Sequence, residues 1–390
     1  MIWPIAPIES IAPQHFTPPH CPWAACPTHD PLPPAFRFRR HGSFARRCDR
    51  RCVPRFLCLA CRRTFSQQTF AASYYLKRPD LSVPIAAGLV AGSAHRQLAR
   101  SLRCGPTTVT RRAARLGRHA LLLQARSLRF LGALREPLCY DHFESFAHSQ
   151  DEPCGVGTLT GHRSWFLYGL DFAPHGRTGR TSPAQRARRR RWIDPPGRRA
   201  DPYRLACRES FCNLIERLDP PRPVVVFCDG KGSYLRAFAE RPLRGRVLAR
   251  VQPNPRRGPK GSARSPEAIA RDEAMFPVDL LHGLLRHSAA HHRRETIAFG
   301  RRHNGVLERM FLFAVWRNLV KSRSERRAGS LTPAAYLGLV RGGWSWERVL
   351  ARRLFAWQED LPNNWRKVYL REIPTRGLAV NRRHDLTNAA

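Results

Sequence analysis

The chain has 390 residues, of which 42% are hydrophobic, so it is long enough for a sizeable core and too apolar to be disordered throughout. It carries 68 lysine and arginine residues against 29 aspartate and glutamate residues, for a formal net charge of +39. This excess is larger than solubility requires and has the sign that phosphate backbones attract, which favours a nucleic acid as the partner. Most of the basic residues are arginine, and GC-rich codon usage is an alternative source of that bias.

No run of apolar residues approaches the roughly 18 to 20 that a membrane-spanning helix needs, so we expect no membrane segment. The N-terminal sequence MIWPIAPIESIAPQ lacks a basic leader and is interrupted by Pro4, Pro7 and Glu9, which argues against a signal peptide. We therefore expect a cytoplasmic protein. In that reducing compartment the 12 cysteines are better suited to metal binding than to disulfides.

The distribution of cysteine, proline and apolar residues divides the chain into five segments. These are an extended or disordered N-terminus (1–19), a cysteine-rich segment (20–70), a helical segment (80–125), a mixed α/β segment (135–325) and a helical, basic C-terminal extension (326–390). Within the α/β segment, the tracts near 177–200 and 252–265 are rich in arginine, proline and glycine and are expected to be loop insertions.

Two cysteine pairs flank the cysteine-rich segment. HCPWAACP contains Cys21 and Cys26, and FLCLACRRTF contains Cys58 and Cys61. Two to four residues between the members of each pair is the spacing of a tetrahedral structural zinc site with thiolate ligands. The alternative is that the cysteines merely pack in a core, but a segment this small has little core to stabilise it without a metal. We therefore predict a zinc ribbon that binds one Zn²⁺ ion.

A third cysteine pair, Cys48 and Cys52, lies in an arginine-rich stretch between the other two. This pair could replace one of the two predicted pairs as zinc ligands. The surrounding arginines are better suited to contacting phosphates, so the pair ranks second as a ligand set.

Residues 80–125 have the pattern of a helix-turn-helix. After a first helix, HRQLARSLR predicts a helix that ends in a turn at Cys104 and Gly105, and a second helix starts at Pro106 or Thr107. The residues expected to face inward are Leu98, Ala99, Leu102, Val109 and Ala113. The residues expected to face outward and contact DNA in the major groove are Thr107, Thr108, Thr110, Arg111 and Arg112. The alternative is a helical hairpin without a DNA role.

The segment from about 135 alternates predicted strands and helices, which is typical of an α/β core. REPLCYDHFESF, SWFLYGLDF and PVVVFCDG are short apolar runs rich in β-branched or aromatic residues, as buried strands are. Residues 279–299 and 304–323 have helical spacing, and Pro277 is expected to mark the start of the first of these helices.

Two aspartates follow predicted strands: Asp141 comes after PLCY, and Asp229 comes after VVVFC. A carboxylate at the end of an interior strand is costly to bury unless a cation compensates its charge. Two carboxylates that converge from neighbouring strands can bind Mg²⁺ ions, which activate a water or a 3′-hydroxyl for attack on phosphorus. The alternative for each residue is an ordinary turn or helix-capping aspartate.

The order of these motifs resembles that of bacterial insertion-sequence transposases with a zinc ribbon, a helix-turn-helix and a DDE core, particularly the insertion sequence 1 family. The resemblance covers most of residues 20–300, and each block is short, so it is their shared order that carries it. The blocks are CRRTFSQQTF, HRQLARSLRCGPTTVTRR, HRSWFLYGLD, CDGKGSY and RRETIAFGRR.

This resemblance implies a ribonuclease-H-like catalytic core, a mixed sheet flanked by helices, in which three acidic residues bind two divalent ions, Mg²⁺ or Mn²⁺. Asp141 would be the first acid and Asp229 the second. The third acid of the family falls on Asp279, where this chain has aspartate in place of glutamate, and Glu308 in RRHNGVLERM is a rival for that position. If neither fits, the chain could be a decayed, inactive copy.

The resemblance also implies double-stranded DNA as the partner, a homo-oligomer that pairs two DNA ends, and association with the bacterial nucleoid. Arg286 and Arg294, with their neighbours Arg293 and Arg301, could hold a DNA end, although such a run of charge is also typical of a solvated helix face. Two other functions remain open. One is a non-catalytic DNA-binding regulator that uses only the zinc ribbon and the helix-turn-helix, and the other is a metal-dependent nuclease without strand transfer.

Overall fold

The structure is a computed structural model that describes residues 6–30, 36–176, 182–192, 201–255, 259 and 261–381. It contains a three-stranded antiparallel sheet of β1 (Phe38–Ala45), β2 (Cys52–Cys58) and β3 (Thr64–Ser66). A second, mixed sheet consists of β4 (Leu138–Phe146), β5 (Pro153–Gly161), β6 (Leu167–Leu170), β7 (Ala173–Pro174), β8 (Val224–Cys228) and β9 (Val247–Val251).

Helices surround the mixed sheet and precede it. They are α1 (Ser82–Val90), α2 (His95–Ser101), α3 (Pro106–Arg129), α4 (Pro183–Trp192), α5 (Pro202–Leu218), α6 (Gly232–Ala239), α7 (Pro266–Ser288), α8 (His303–Val315), α9 (Pro333–Tyr336), α10 (Trp346–Val349) and α11 (Asn363–Tyr369). Helix α8 continues as a π-helical turn through Val320. Among the described residues, no helix combines the length and the apolar character that crossing a bilayer requires.

The strand order of the mixed sheet is β6-β5-β4-β8-β9, with β7 paired to β5. Strand β4 is central, antiparallel to β5 and parallel to β8, which is in turn parallel to β9. The predicted α/β class is therefore confirmed.

Helices cover both faces of this sheet, and the side chains of β4 alternate between them, as the period of a strand requires. On one face, Cys139 donates to the carbonyl of Ala274 in α7 at 3.3 Å. On the other face, Tyr140 packs edge-on against Phe211 of α5 and Tyr234 of α6, with ring centroids 5.2 and 5.0 Å away. A residue's position in β4 thus decides which helical layer it meets.

Helix α3 joins the helical segment to the sheet. Its first half packs with α1 and α2, whereas Gln124 in its second half donates to the carbonyl of Leu167 in β6 at 2.7 Å. A single hydrophobic core runs from Leu81 through the sheet to Tyr369. The expected boundary at residue 125 falls inside α3, and the expected C-terminal extension contributes Trp365, which donates to the carbonyl of Leu170 at 2.8 Å.

Part of the N-terminal segment, expected to be disordered or extended, is packed. Ile8 and Phe16 are each 2% exposed and join the aromatic cluster of the ribbon. The backbone of Ile8 also donates to the carbonyl of Ala351 at 2.9 Å. Apolar side chains in a proline-rich stretch therefore cover an adjacent module instead of remaining in solvent.

Two expectations about helix bounds are wrong. Helix α7 starts at Pro266, where Ser265 accepts a hydrogen bond from the backbone of Ala268, so Pro277 lies inside the helix. The helix also ends at Ser288 rather than near residue 299. Helix α4 lies in the tract near 177–200 that was expected to be a loop; residues 177–181 and 193–200 of that tract, and residues 256–258 and 260 of the second tract, lie outside the described residues.

Candidate metal centres and DNA-contacting surface

The four predicted zinc ligands form one cluster. The sulfur atoms of Cys21, Cys26, Cys58 and Cys61 all lie within 4.8 Å of one another. The Cys21–Cys61 and Cys26–Cys58 sulfur distances are 3.6 and 3.8 Å. Zinc–sulfur bonds of about 2.3 Å in a tetrahedron place the sulfurs about 3.8 Å apart, so this group fits a Zn²⁺ ion.

The surroundings of Cys58 favour a thiolate, whereas burial raises the pKa of Cys21 and of Cys61. Although burial raises the pKa of Cys58, hydrogen bonds from the backbones of Cys61 and Ala60 outweigh it and lower that pKa to about 7. The hydroxyl of Thr28 lies 3.2 Å from the sulfur of Cys26 and can donate to it. Groups that donate to ligand sulfurs orient them and stabilise their negative charge.

The rival pair, Cys48 and Cys52, is exposed and lies outside this cluster. Cys48 lies in the turn between β1 and β2, and Cys52 is the first residue of β2. Within that turn, Arg46 is buried and pairs with Glu9 and Asp49, so it points inward instead of towards a ligand. The pair is therefore not needed to complete the zinc site.

Helices α2 and α3 form the predicted helical pair, and most residues face as expected. The inner residues Leu98, Ala99, Val109 and Ala113 are buried, and Leu102 is partly buried. Of the outer residues, Thr107, Thr110 and Arg111 are exposed and Thr108 is partly exposed. These four can reach a ligand in front of α3.

Arg112 contradicts the expected orientation because it is 6% exposed. It lies one turn after the buried Val109, which places it on the inner face of α3. Its guanidinium donates to the hydroxyl of Ser82 and, at 3.0 Å, to the carbonyl of Arg78. Arg112 thus ties α3 to the start of α1 and does not point towards DNA.

This difference between neighbours gives a matched pair of variants. We expect Arg111→Ala to weaken DNA binding and to flatten its salt dependence by about one unit of slope, as loss of one phosphate contact does. We expect Arg112→Ala to lower the thermal midpoint, since it removes the hydrogen bonds to Ser82 and to the carbonyl of Arg78, and to leave the slope unchanged. Binding titrations at several salt concentrations, with thermal scans of both variants, measure this. A flattened slope in Arg112→Ala alone would contradict the assignment.

Asp141 and Asp229 lie next to each other on the α7 face of the mixed sheet. Tyr140 of β4 pairs with Cys228 of β8 in parallel register, and the two aspartates are the next residue along each strand. Asp141 is thus the fourth residue of β4, inside the strand rather than at its end. Burial, followed by the charge of Asp229, raises the pKa of Asp141 to about 6. Two carboxylates that repel each other in a partly buried place fit a divalent cation.

A buried polar chain that the sequence did not reveal leads from the opposite face to Asp141. The Tyr234 hydroxyl lies 2.8 Å from His142 Nδ1 and 3.3 Å from Asp141 Oδ1. His142 Nε2 in turn lies 3.2 Å from Asp171 Oδ1, and Asp171 also accepts from the Tyr140 hydroxyl at 2.8 Å. These residues hold the Asp141 carboxylate in one orientation.

Glycines in β5 make room for this chain. A β-carbon at Gly157 would collide with the carboxylate of Asp171, and one at Gly155 would lie 2.9 Å from the ring of His142. Larger residues at these two positions would displace the polar groups. Glycine has a low strand propensity, so these residues make β5 hard to predict from the sequence. The side chains packed on the strand nevertheless require glycine at both positions.

Neither candidate for the third acid joins the aspartate pair. Asp279 lies in the second half of α7, is 41% exposed and pairs with Arg271. Glu308 is 1% exposed and pairs with Arg118 at 3.0 Å and Arg371 at 3.1 Å, which fixes it between α3 and the C-terminal segment. Within the described residues, the four cysteines are the only group of three or more potential ligands within 4.8 Å of one another.

The group of α7 that faces Asp141 is His282, one turn after Asp279. Its Nδ1 lies 3.9 Å from Asp141 Oδ2, and its Nε2 lies 2.9 Å from the hydroxyl of Thr158. Burial lowers the pKa of His282 to about 3, so the ring is neutral at physiological pH and Nδ1 can serve as a metal ligand. Because α7 starts at Pro266, its rotation about the helix axis places His282 towards Asp141 and Asp279 away from it.

The arginines predicted to hold a DNA end differ in their contacts. Arg286 is partly buried and donates to the carbonyls of His292 and Glu144 at 2.6 and 2.7 Å. Arg294 is exposed, in the segment after α7. Arg286 therefore joins α7 to β4, whereas Arg294 is accessible to a ligand.

No family model matches the chain, and neither a curated protein nor a solved structure matches it. The resemblance to insertion-sequence transposases therefore rests on the sequence motifs alone.

Proposed function

We propose that the chain is a DNA transposase whose ribonuclease-H-like core cleaves and joins DNA strands with divalent metal ions. The observation that carries this proposal is the pairing of Asp141 and Asp229 on neighbouring parallel strands, with the pKa of Asp141 raised by burial and by the charge of Asp229. A regulator that only binds DNA has no use for two carboxylates that repel each other inside its sheet.

Two aspartates are enough to hold Mg²⁺ together with a substrate. Magnesium usually keeps several water molecules and binds one or two carboxylates plus phosphate oxygens, so the missing third acid does not exclude the site. Imidazole nitrogen suits Mn²⁺ better than Mg²⁺, and His282 near Asp141 therefore favours activity with Mn²⁺. A bound divalent ion would polarise the phosphate and lower the pKa of an attacking water or hydroxyl.

The chain's own residues would orient this chemistry. Tyr234 and His142 fix the orientation of the Asp141 carboxylate. The Thr158 hydroxyl hydrogen-bonds to Nε2 of His282, so Nδ1 of that ring faces Asp141. The exposed Thr107, Thr110 and Arg111 at the start of α3 would contact the duplex. Since transposition pairs two DNA ends, we further propose that the active form is a homodimer or a larger assembly.

The metal site can be mapped without knowing the DNA sequence. With Fe²⁺, ascorbate and peroxide, a bound ion produces hydroxyl radicals that cut the nearby backbone, and we expect cuts next to residues 141 and 229. Asp229→Asn removes one ligand and should lose both cuts. Asp279→Asn is the matched control and should keep them, because that side chain pairs with Arg271 away from the site. Cuts that persist in Asp229→Asn would place the ion elsewhere.

The activity is tested by strand transfer. Labelled duplexes from the DNA on either side of the coding sequence are incubated with the full chain, Mn²⁺ and supercoiled plasmid. A transposase transfers the label to the plasmid. Nicks without label transfer would indicate the nuclease, and binding without any cut would indicate the regulator, so either result would overturn the proposal.

A further inference from the structure

A cavity of about 820 Å³ lies on the side of α3 that carries Arg112, away from the exposed start of that helix. Segment 72–79, the N-terminal residues 7–10 and the C-terminal segment close it. Its volume is within the roughly 300 to 1,000 Å³ of small-molecule sites. Its lining includes four arginines, Arg112, Arg115, Arg118 and Arg353, and aromatic side chains that include Tyr74 and Tyr75.

Three of the four arginines have partners within the fold. Arg112 donates to Ser82, Arg118 pairs with Glu308 at 3.0 Å, and Arg353 lies over the ring of Tyr74 at 4.7 Å. Arg115 lies on the same face of α3, one turn from Arg112 and from Arg118. Burial, followed by the charges of Arg353, Arg112 and Arg118, lowers the pKa of Arg115 to about 10, so it remains charged at neutral pH.

The carboxylates in the wall do not neutralise this charge. Glu9 binds Arg46 and Ser73, and Glu347 is held at the start of α10 by Ser345. After burial, the largest causes of the lowered pKa of Arg115 are the charges of Arg353, Arg112 and Arg118. A group of arginines that repel one another around a cavity fits an anionic ligand, and guanidinium groups bind phosphate oxygens in pairs.

Aromatic side chains border the same cavity. The rings of Tyr74 and Tyr75 lie 4.6 Å apart, and Tyr75 is 73% exposed with a left-handed φ of 61°. An exposed ring held in an unfavourable backbone conformation offers a face for stacking. Flat bases stack on such faces, and each stacked base contributes about 1 to 3 kcal/mol to binding.

We propose that this cavity binds a nucleotide, with its phosphate against Arg115 and its base against Tyr75. The ligand is either a free nucleotide or one residue of a DNA strand, since both present the same phosphate and base. This site is separate from the aspartate pair, and its existence does not depend on strand transfer.

Photocrosslinking to the full chain tests the location. The two probes are 5-iododeoxyuridine monophosphate and a short single-stranded oligonucleotide that contains this base, in high salt so that exposed arginines are screened. We expect a crosslink at Tyr74 or Tyr75 with a yield that falls roughly tenfold in Arg115→Met, the loss expected for one charge-assisted contact. The control is Arg222→Met, an exposed arginine outside the cavity. Labelling by both probes indicates a free nucleotide, labelling by the oligonucleotide alone indicates a strand, and an unchanged yield in Arg115→Met overturns the proposal.

Thermal unfolding separates a binding arginine from a structural one. If Arg115 awaits an anion, Arg115→Met removes repulsion and raises the midpoint of the free chain by a few degrees, while the stabilisation by nucleotide disappears. Asparagine tolerates a left-handed backbone, so Tyr75→Asn should keep the fold and reduce the nucleotide-induced rise in the thermal midpoint. A lower midpoint in Arg115→Met, or a full nucleotide shift in Tyr75→Asn, would overturn the proposal.

Discussion

Replacing Asp141 with asparagine is expected to abolish the proposed strand cleavage and transfer and, at the same time, to stabilise the metal-free chain. The amide cannot hold a divalent ion as the carboxylate does, and loss of several kcal/mol of metal catalysis corresponds to at least about a 1,000-fold lower rate. The same change removes a partly buried charge that lies beside that of Asp229. Strand-transfer rates with Mn²⁺ and thermal midpoints without metal measure the two effects.

The stabilising effect has a defined pH dependence. Because the pKa of Asp141 is raised to about 6 from its usual value near 4, the folded chain binds a proton more tightly than the unfolded chain. The stability that protonation of Asp141 contributes is therefore present at low pH and is lost as pH rises from about 4 to about 6. We expect Asp141→Asn to match the wild type at pH 4 and to have the higher midpoint at pH 7. Asp219→Asn, at an exposed position, is the control, and a lower midpoint for Asp141→Asn at pH 7 would contradict the buried-charge interpretation.

Replacing Cys58 with serine is expected to remove the zinc and to unfold the ribbon. Structural zinc sites contribute about 10 to 16 kcal/mol to the folding of small modules, so loss of one thiolate removes most of the stabilisation of this one. Metal analysis should fall from one zinc per chain to well under one, and limited proteolysis should then cut within residues 36–66. Since Phe355 packs in the same aromatic cluster, the C-terminal segment should also become more accessible.

Cys48→Ser is the matched control for the zinc experiment, because Cys48 is an exposed cysteine of the same segment outside the cluster. It should retain full zinc and the wild-type proteolysis pattern. Equal zinc loss in Cys48→Ser and Cys58→Ser, or full zinc in Cys58→Ser, would contradict the assignment of the four ligands.

Features that depend on short-range spacing were predictable from the sequence. The cysteine pairs, the strands that became β4, β6 and β8, and the inner face of the helical pair all follow from residues a few positions apart. Asp141 and Asp229 were identified because each follows an apolar run, although Asp141 proved to lie within its strand.

Features that depend on long-range pairing were not predictable. The orientation of Asp279 depends on where α7 starts, 13 residues earlier, and Pro277 suggested a different start. Arg112 faces inward because Ser82 at the start of α1 and Arg78 just before it offer hydrogen-bond partners. The chain from Asp171 to Asp141 requires β4, the end of β6 and α6 to meet, and no local pattern reveals it.

The continuous helix α3 would set the distance along a bound DNA between the bases that it contacts and the sheet. Arg111 lies in its second turn, and Gln124, which donates to β6, lies 13 residues further on, about 20 Å along the helix axis. An uninterrupted rod of this length would fix the helical phase between the bases that are read and the phosphate that reacts. A DNA end displaced by half a turn would present its opposite side to the sheet, so the chain would select its ends by spacing as well as by sequence.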